Sequence, residues 1–471
     1  MFERDRTNKM KTQGMTDSSR CRRDDKAEAE NEQLVPGRGS LLEHQEISRR
    51  TLLKGGSALA GLTVLRVAGP AHAFAGHSSE EDGNDDSQPL GQPGEEVIPW
   101  LDQPPPNPIP DNVGKLLKWE ELDSWRIPTE EFFFVNHYGQ PGGLHEATWH
   151  VGISGLVAHP QSLTLADIKA RPRHEVDFTL ECSGNNGTGL DFFIGGIGNA
   201  RWAGTRLAPL LEEAGVLKQG SEVVFYGADR GTVTIRDNSG IVSGGRTGTV
   251  EPDPGGGLDL TITEQFARSM SIQEALNPDN LLCYEMNGKP LPLANGFPVR
   301  LIAPGWYGVA NVKWLKRIQV MDHRYAGRFM ARDYVTIREQ QRAGETVWTF
   351  TTVSHDRLKS APAKVTRRDF RHTIKGAAWG APIAAVQVQI DHGPWKTARL
   401  YGPPWQGKPR RFAWRFWTFD WGTPAPGEHE ITSRAFDVDG NIQPAPDNPF
   451  LASRRTYWES NGHITRRILI S

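Results

Sequence analysis

The order of apolar and polar positions predicts short strands and a few short helices in the middle of the chain. Residues 149–153 alternate between apolar and polar side chains, which is typical of a strand with one buried face. Continuous apolar runs at 222–226 and 299–303 indicate strands that are buried on both faces. Helical spacing is found over 162–169 and 207–214, and each segment is short. This part of the chain is therefore expected to mix β structure with short helices.

From about residue 346 the pattern changes to strands that follow one another at roughly regular intervals. Glycine and proline separate them, as in antiparallel sandwiches. The predicted strands cover residues 386–391, 412–416, 431–436 and 464–470. The chain is therefore predicted to have an α+β fold, with a mixed domain over 115–345 and a β-sandwich domain over 346–471.

The N-terminal residues have the composition of a leader. Residues 1–47 are polar and charged, and such a segment cannot bury a core. The sequence SRRTLLK at 48–54 is similar to a twin-arginine export signal. A weakly apolar stretch at 55–68 and the small-x-small cleavage site Ala-His-Ala at 71–73 follow it. These features predict a disordered leader over 1–73 and export of the folded protein to the periplasm or out of the cell.

Two further segments lack the periodicity of helices and strands. Residues 74–114 are rich in acidic residues, proline, glycine and serine, which predicts a flexible linker or an extended arm. Residues 238–257 are dominated by glycine, serine, threonine and proline, which predicts a long surface loop.

The composition excludes several classes of protein. The 471 residues carry a net charge of −2, without the clustered basic face that nucleic-acid binding needs. No segment is long and apolar enough for a stable membrane span. The three cysteines, Cys21, Cys182 and Cys283, are too few for a disulfide framework. A chain of this length can bury a sufficient core without disulfides.

Cys182 has more unusual surroundings than Cys283. It stands where a predicted strand ends in the loop sequence ECSGNNG, and glycines in such a loop let the backbone approach a ligand closely. A thiolate there suits a transition metal. The local sequence by itself nevertheless favours a small apolar side chain at the end of a strand. Cys283 lies within the apolar run LLCYEM, which predicts a core position.

Several segments resemble the sulfite oxidase family, and they occur in the family's order. In the first domain these are FFVNH at 133–137, ECSGN at 181–185, NARWAGTRL at 199–207, YEMNGKPLP at 284–292, NGFPVR at 295–300 and GVANVKW at 308–314. In the second domain, GAAWG at 376–380 and RAFD at 434–437 resemble the family's dimerisation domain. The resemblance implies a sulfite-oxidase-type molybdopterin domain, then an immunoglobulin-like domain that forms a homodimer.

The resemblance also implies a cofactor, molybdenum held by molybdopterin. Cys182 matches the protein's thiolate ligand to the metal, and Arg300 and Lys313 match positions that hold the pterin phosphate. The other positions that match cofactor-binding residues are Asn136, His137, Asp229, Asn295, Asn311 and Val312. The family has a histidine where this chain has Asn295. No haem is expected, because the Cys-x-x-Cys-His motif is absent, so electrons are expected to leave to an external carrier such as a cytochrome.

The catalytic residues implied by the resemblance are Cys182, Arg201, Arg455 and Tyr334. Sulfite oxidases bind a small oxyanion with clustered arginines, because a planar guanidinium pairs with such an anion through two hydrogen bonds. This chain departs from the pattern at Val135, where the family has one of these arginines. Losing that arginine would cost about 1.5–3 kcal/mol of charged hydrogen bonding.

Three functions remain open at this level. The first is an exported enzyme that oxidises sulfite, or a related sulfur compound, to sulfate by oxygen-atom transfer. The second, favoured by Val135, is a molybdenum enzyme of the same fold that acts on another substrate such as a sulfoxide. The third is a non-catalytic exported scaffold, and the presence of Cys182, Arg300 and Lys313 argues against it.

Overall fold

The computed structural model describes residues 90–102, 113–185, 195–237, 258–402 and 411–471. The leader predicted for 1–73 and the surface loop predicted for 238–257 lie outside the described residues.

The described residues are mainly strands. The strands before residue 345 are β1 Glu96–Ile98, β2 Val113–Gly114, β3 Phe134–Val135, β4 His150–Gly155, β5 Gln161–Thr164, β6 Arg173–Glu181, β7 Ile197–Arg206, β8 Glu222–Asp237, β9 Leu258–Ser271, β10 Leu281–Met286, β11 Lys289–Pro290, β12 Arg300–Ile302, β13 Leu315–Met321 and β14 Val335–Arg342. The later strands are β15 Glu345–Thr352, β16 Lys359–Arg368, β17 Arg371–Trp379, β18 Ile383–Ile390, β19 Lys396–Thr397, β20 Arg399–Tyr401, β21 Arg415–Gly422, β22 Gly427–Asp437 and β23 Ile464–Ile470.

The helices are short. They are α1 Leu165–Lys169, α2 Leu207–Ala214, α3 Ile272–Ala275, α4 Arg328–Ala331 and α5 Pro449–Ala452, with 3-10 turns at Trp119–Glu121, Glu146–Thr148, Leu293–Asn295 and Gly308–Ala310. Helix α2 has the predicted bounds; its apolar face is buried, and it ends at Gly215 in the left-handed conformation that glycine favours. The segment 162–169 was predicted as one helix. Its first three residues instead belong to strand β5, and helix α1 begins at Leu165. Thr164 and Asp167 form the capping box of α1.

Two sheets build the first part of the chain. One has the strand order β5-β4-β13-β8-β9, in which β4 and β13 are parallel. The other has the order β11-β10-β7-β6, with β12 also paired to β10. Strand β6 ends at Glu181, so Cys182 is the first residue beyond the strand, as predicted. Cys283 is completely buried in the core, which confirms its predicted position.

Strands β16 to β23, together with β1, form two antiparallel sheets with a shared core. Their orders are β1-β16-β17-β21-β20 and β19-β18-β22-β23. Val365 and Ile374 of the first sheet and Val388 and Ile431 of the second belong to one buried apolar cluster. The predicted β-sandwich is therefore present, and strand β23 has the predicted bounds. An immunoglobulin-like topology for this sandwich stays a prediction.

Two predicted boundaries need correction. Residues 90–102 are an ordered arm, because β1 pairs with β16 and the buried Trp100 donates from Nε1 to the carbonyl of Ala363. Of the two alternatives predicted for 74–114, the extended arm therefore holds for these residues and the flexible linker does not. The boundary predicted between 345 and 346 falls within strand β15, which pairs along its length with β14. Within the described ranges, no helix has the length and apolar character needed to cross a membrane.

Candidate functional site

Backbone hydrogen bonds fix the position of Cys182 at the end of β6. Its N–H donates to the carbonyl of Gly196 over 2.8 Å, and its own carbonyl accepts from the N–H of Asn185 over 2.9 Å. The Asn185 side chain accepts from the Gly196 N–H over 2.8 Å, which closes the loop. A side chain at position 196 would come within 3.2 Å of Cys182 Cβ, so only glycine leaves this space open. Burial raises the pKa of the Cys182 thiol, and a bound metal is what would favour its thiolate.

Cys182 lines a cavity that is formed by residues from several distant segments of the chain. Most of the predicted site residues line this cavity together: His137, Cys182, Asp229, Asn295, Arg300, Asn311, Lys313 and Tyr334. Val135, which stands where the family has an arginine, also lines it. The sequence motifs are far apart in the chain, and the fold gathers them around one space.

Two buried cations in the cavity wall have no anionic hydrogen-bond partner in the described part of the chain. Arg300 donates to the carbonyls of Asn295 and Asn311 over 2.8 and 2.9 Å, and its Nε has no partner. Lys313 donates to the carbonyls of Val135 and Ala294 and to the side chain of Asn136. Burial lowers the pKa of Arg300 to about 10 and that of Lys313 well below its ordinary value. Buried positive charge of this kind calls for an anion.

Asp229 offers the cavity an unused acceptor. It is buried and its Oδ1 has no hydrogen-bond partner. Burial raises its pKa to about 7, and the opposing charge of Lys313 only partly offsets this. A heterocycle with N–H groups would satisfy this oxygen. The unpaired acceptor and the two cations therefore fit a pterin with a phosphate tail. The Cys182 sulfur could complete the coordination of the metal that such a pterin carries.

His137 and Tyr334 form a hydrogen-bonded pair in the same wall. The Tyr334 hydroxyl lies 3.2 Å from His137 Nε2, and the His137 ring stacks on Phe266. Burial, followed by the charge of Lys313, lowers the pKa of His137 to about 3, so the ring is neutral near pH 7. Burial also raises the pKa of Tyr334 well above its ordinary value. The pair can hold and orient a proton without carrying a charge.

The structure does not place the two predicted catalytic arginines in the cavity. Arg201 lies opposite Asp177 in the β6–β7 pairing, and its guanidinium is 3.3 Å from that carboxylate. Arg455 is exposed and its Nε lies 2.8 Å from a Glu339 carboxylate oxygen. Each arginine forms an ion pair with a carboxylate and does not line the cavity. The structure therefore does not support the catalytic role that the resemblance implied for Arg201 and Arg455.

Three predicted cofactor residues act indirectly in this structure. The Asn136 side chain accepts a hydrogen bond from Lys313. The Asn311 side chain accepts from the Ala303 N–H and donates to the carbonyls of Trp306 and Tyr307, so it shapes the loop before it. Val312 is buried in the apolar core and does not line the cavity.

The sequence interpretation missed residues from the second part of the chain that reach this site. Lys359 of β16 and Trp379 of β17 both bind the Glu181 carboxylate, directly before Cys182. The rings of Tyr457 and Trp458 pack against Gly184. No local pattern could reveal these contacts, because they join positions far apart in sequence.

The described residues contain no cluster of three or more His, Cys, Asp or Glu side chains that could hold a metal ion. Among the described residues, Cys182 therefore does not belong to such a cluster.

Comparison with known families agrees with this geometry. Residues 137–243 and 254–329 match the family described as oxidoreductase molybdopterin binding domain. Residues 350–459 match the Mo-co oxidoreductase dimerisation domain.

Proteins of known activity align with much of the chain. Sulfite oxidase of Gallus gallus is 32% identical over 346 residues, which are 67% of this chain and 68% of that protein. The mitochondrial sulfite oxidase of Homo sapiens is 31% identical over 373 residues, and the chain covers 60% of its length. A nitrate reductase (NADH) of Hordeum vulgare is 29% identical over 356 residues, 36% of that protein.

Among solved structures, the sulfane dehydrogenase SoxCD from Paracoccus pantotrophus matches with a TM-score of 0.60 and 23% identity. The match covers 86% of this chain and 100% of that chain. At this identity the likeness establishes a shared fold.

Proposed function

This chain belongs to the sulfite oxidase family of molybdopterin-dependent oxidoreductases, and we propose that it transfers oxygen from water to a sulfur compound and passes electrons to an external carrier. Sulfite is the substrate that its relatives suggest. The observation that carries the proposal is the Cys182 side chain on a cavity whose two buried cations, Arg300 and Lys313, have no anionic hydrogen-bond partner in the described residues.

The residues of the chain have separate tasks in this proposal. Cys182 binds the metal through its sulfur. Arg300 and Lys313 would hold the negative phosphate of the pterin, and Asp229 would accept hydrogen bonds from its N–H groups. When bound, the cofactor supplies a two-electron redox centre that exchanges an oxygen atom with the substrate. His137 and Tyr334 stay uncharged beside it and hold a proton between Nε2 and the hydroxyl.

For sulfite, the net reaction balances with water as the source of oxygen and the external carrier as the oxidant. Sulfite and one water molecule give sulfate, two protons and two electrons. The electrons leave one at a time to a carrier such as a cytochrome, which is reduced. No haem-binding segment is proposed for this chain.

A second candidate substrate is an uncharged sulfur compound such as a sulfoxide or thioether. Val135 brings no positive charge to the cavity, and Arg201 and Arg455 are bound to carboxylates elsewhere. The cavity therefore has fewer guanidinium groups for an oxyanion than the family pattern leads us to expect.

Two further properties are part of this proposal. The match to a dimerisation domain supports a homodimer built through the sandwich. The twin-arginine sequence at 48–54 supports export of the folded protein to the periplasm or beyond.

The test is to produce the protein in a host that makes the cofactor and to measure molybdenum, pterin and sulfite-dependent reduction of cytochrome c. We expect stoichiometric molybdenum and turnover with at least one sulfur compound, and no turnover for Cys182→Ser. A protein that folds but contains neither molybdenum nor pterin would contradict the proposal.

A further inference from the structure

Arg268 is a buried cation behind the wall of the Cys182 cavity. It is 1% exposed, and its guanidinium donates to the carbonyls of Phe329 and Val353. Its Nε has no hydrogen-bond partner within the described ranges. Burial lowers the pKa of Arg268 to about 10, so the group still carries its charge near pH 7.

This charge is not neutralised by a contact with a carboxylate. In the part of the chain that the structure describes, both hydrogen-bond acceptors of Arg268 are neutral carbonyls. The carboxylate whose charge reaches it is Glu459, which accepts from Thr336 Oγ1 over 2.6 Å and lies 3.6 Å from Arg357. Arg268 therefore leaves positive charge in a region that water screens poorly.

The fold connects Arg268 to the hydrogen-bonded pair of His137 and Tyr334. The ring of Phe329 packs against His137, with ring centroids 4.8 Å apart. The N–H of Val353 donates to the carbonyl of Tyr334 over 2.9 Å. Each of the two carbonyls that accept from Arg268 thus belongs to a residue in contact with one member of the pair.

The charge of Arg268 acts on both members of this pair. Burial is the main cause that lowers the pKa of His137, and the Arg268 charge adds to it. Burial and Cys182 raise the pKa of Tyr334, and the Arg268 charge opposes this rise. The Tyr334 side chain therefore lies within electrostatic reach of both Cys182 and Arg268. An anion on the cavity side of Tyr334 would meet the same positive potential.

The other buried cations of the site already have a task. Arg300 and Lys313 are proposed above to hold the phosphate of the pterin. Val135 brings no charge to the cavity, although the family has an arginine at this position. Arg268 is thus a third buried cation near the cavity, and the proposed function does not yet use it.

We propose that Arg268 determines substrate specificity, because its buried charge makes the Tyr334 side of the cavity favour a small oxyanion over an uncharged sulfur compound. The inference rests on the function proposed above and decides between its two substrate candidates. Arg268 does not line the cavity, so it acts on the substrate through the electric field of its charge. Such a field is strong where water is excluded.

The test compares two ligands that share a tetrahedral sulfur and differ in charge, sulfate and dimethyl sulfone. Each is titrated calorimetrically into the molybdenum-loaded, oxidised protein. We expect the parent protein to bind sulfate more tightly than dimethyl sulfone, because only the anion is attracted by the buried charge.

Two variants separate the charge of Arg268 from its hydrogen bonds. Arg268→Gln removes the charge and keeps an N–H group that can donate to a carbonyl, whereas Arg268→Lys keeps the charge. Arg268→Gln should bind sulfate about fivefold to tenfold more weakly and dimethyl sulfone within about twofold of the parent protein. Arg268→Lys should bind sulfate within about threefold of the parent protein.

Arg455→Gln is the matched control, because it removes an exposed arginine that is paired with Glu339 and does not line the cavity. Solvent screens such a charge, so neither ligand should bind differently. If Arg455→Gln weakened sulfate binding as much as Arg268→Gln, the effect would be one of overall charge and the inference would be wrong.

Three further results would overturn the inference. The first is a parent protein that binds dimethyl sulfone as tightly as sulfate, and this result decides the matter even if Arg268→Gln does not fold. The second is sulfate binding that Arg268→Gln leaves unchanged. The third is an equal loss of both ligands in Arg268→Gln, which would show that the arginine only supports the shape of the cavity.

Molybdenum content and sulfite turnover are measured on the same samples. A loaded, active parent protein whose sulfate affinity does not depend on Arg268 would overturn this inference and leave the proposed function intact. A parent protein without molybdenum would overturn the proposed function, and this inference with it.

Discussion

Lys359 Nζ lies 2.7 Å from Glu181 Oε1, and the two side chains are 1% and 0% exposed. Glu181 also accepts from Trp379 Nε1 over 2.9 Å and from the Asn185 side chain over 3.1 Å. The sandwich therefore binds the residue that directly precedes Cys182. A buried ion pair is stable only when its remaining lone pairs are satisfied, and here hydrogen bonds fulfil that condition.

Breaking this pair should destabilise the protein strongly. Lys359→Met leaves the Glu181 carboxylate buried without its cation, which costs about 3–5 kcal/mol. The double variant Lys359→Met with Glu181→Gln should recover part of the loss, because no unpaired charge remains. Urea unfolding of the single and double variants measures both effects.

The control for this prediction is the exposed pair of Lys289 and Glu130, which has a similar separation of 2.8 Å. Lys289→Met should leave the free energy of unfolding almost unchanged, because solvent screens this exposed pair. If Lys359→Met had an equally small effect, the buried pair would not hold the Cys182 strand.

Arg300 is expected to determine whether the cofactor stays bound. Arg300→Gln removes a buried positive charge next to the proposed phosphate, which costs about 1.5–3 kcal/mol of charged hydrogen bonding. We expect at least about a tenfold loss of affinity for the cofactor, which corresponds to about 1.4 kcal/mol. Molybdenum and pterin per chain, measured after extensive dialysis, test this.

Arg455→Gln is the matched variant for this measurement, because it removes an arginine whose partner is Glu339 and which does not line the cavity. It should keep the cofactor. Equal loss from both variants would show that general destabilisation, rather than the phosphate contact, explains the Arg300 result.

Asp229 should make cofactor binding depend on pH. Its pKa is raised to about 7 by burial, so the free carboxyl is neutral below that pH and ionised above it. The ionised carboxylate accepts N–H groups from a pterin more strongly than the neutral carboxyl does, so binding favours the ionised form and releases up to one proton below pH 7. Affinity should therefore fall as the pH is lowered from 7, by at most about tenfold per pH unit.

The measurement is the molybdenum retained after dialysis across a series of pH values. Above pH 7, Asp229→Asn should retain less cofactor than the parent protein. Below pH 7, the retention by this variant should not decrease as it does in the parent protein. Retention by the parent protein that rises as the pH falls would contradict the assigned role.

Local patterns in the sequence predict the elements that depend on local chemistry. The bounds of α2 follow from its apolar spacing and from the glycine after it. The position of Cys182 beyond a strand follows from the apolar run that turns into glycine and asparagine. The prediction that Arg300 and Lys313 belong to one site came from the family resemblance. Neither the spacing of residues nor the composition could have shown it.

The errors arise where long-range pairing decides the outcome. Lys359 and Glu181 are separated by 178 positions, so no local pattern connects them. Alternate residues of a strand face opposite sides. Leu180 and Cys182, at even positions, line the cavity. Asp177 is at an odd position of the same strand, so its side chain lies on the opposite face of the sheet. Arg201 is paired with Asp177 and therefore points away.

The central claim is that the sulfur of Cys182 binds the metal, and X-ray absorption at the molybdenum edge tests it most directly. The spectra of the loaded parent protein and of Cys182→Ser are compared at equal molybdenum content. We predict that the variant has one sulfur neighbour fewer around molybdenum than the parent protein. An unchanged number of sulfur neighbours would contradict the claim.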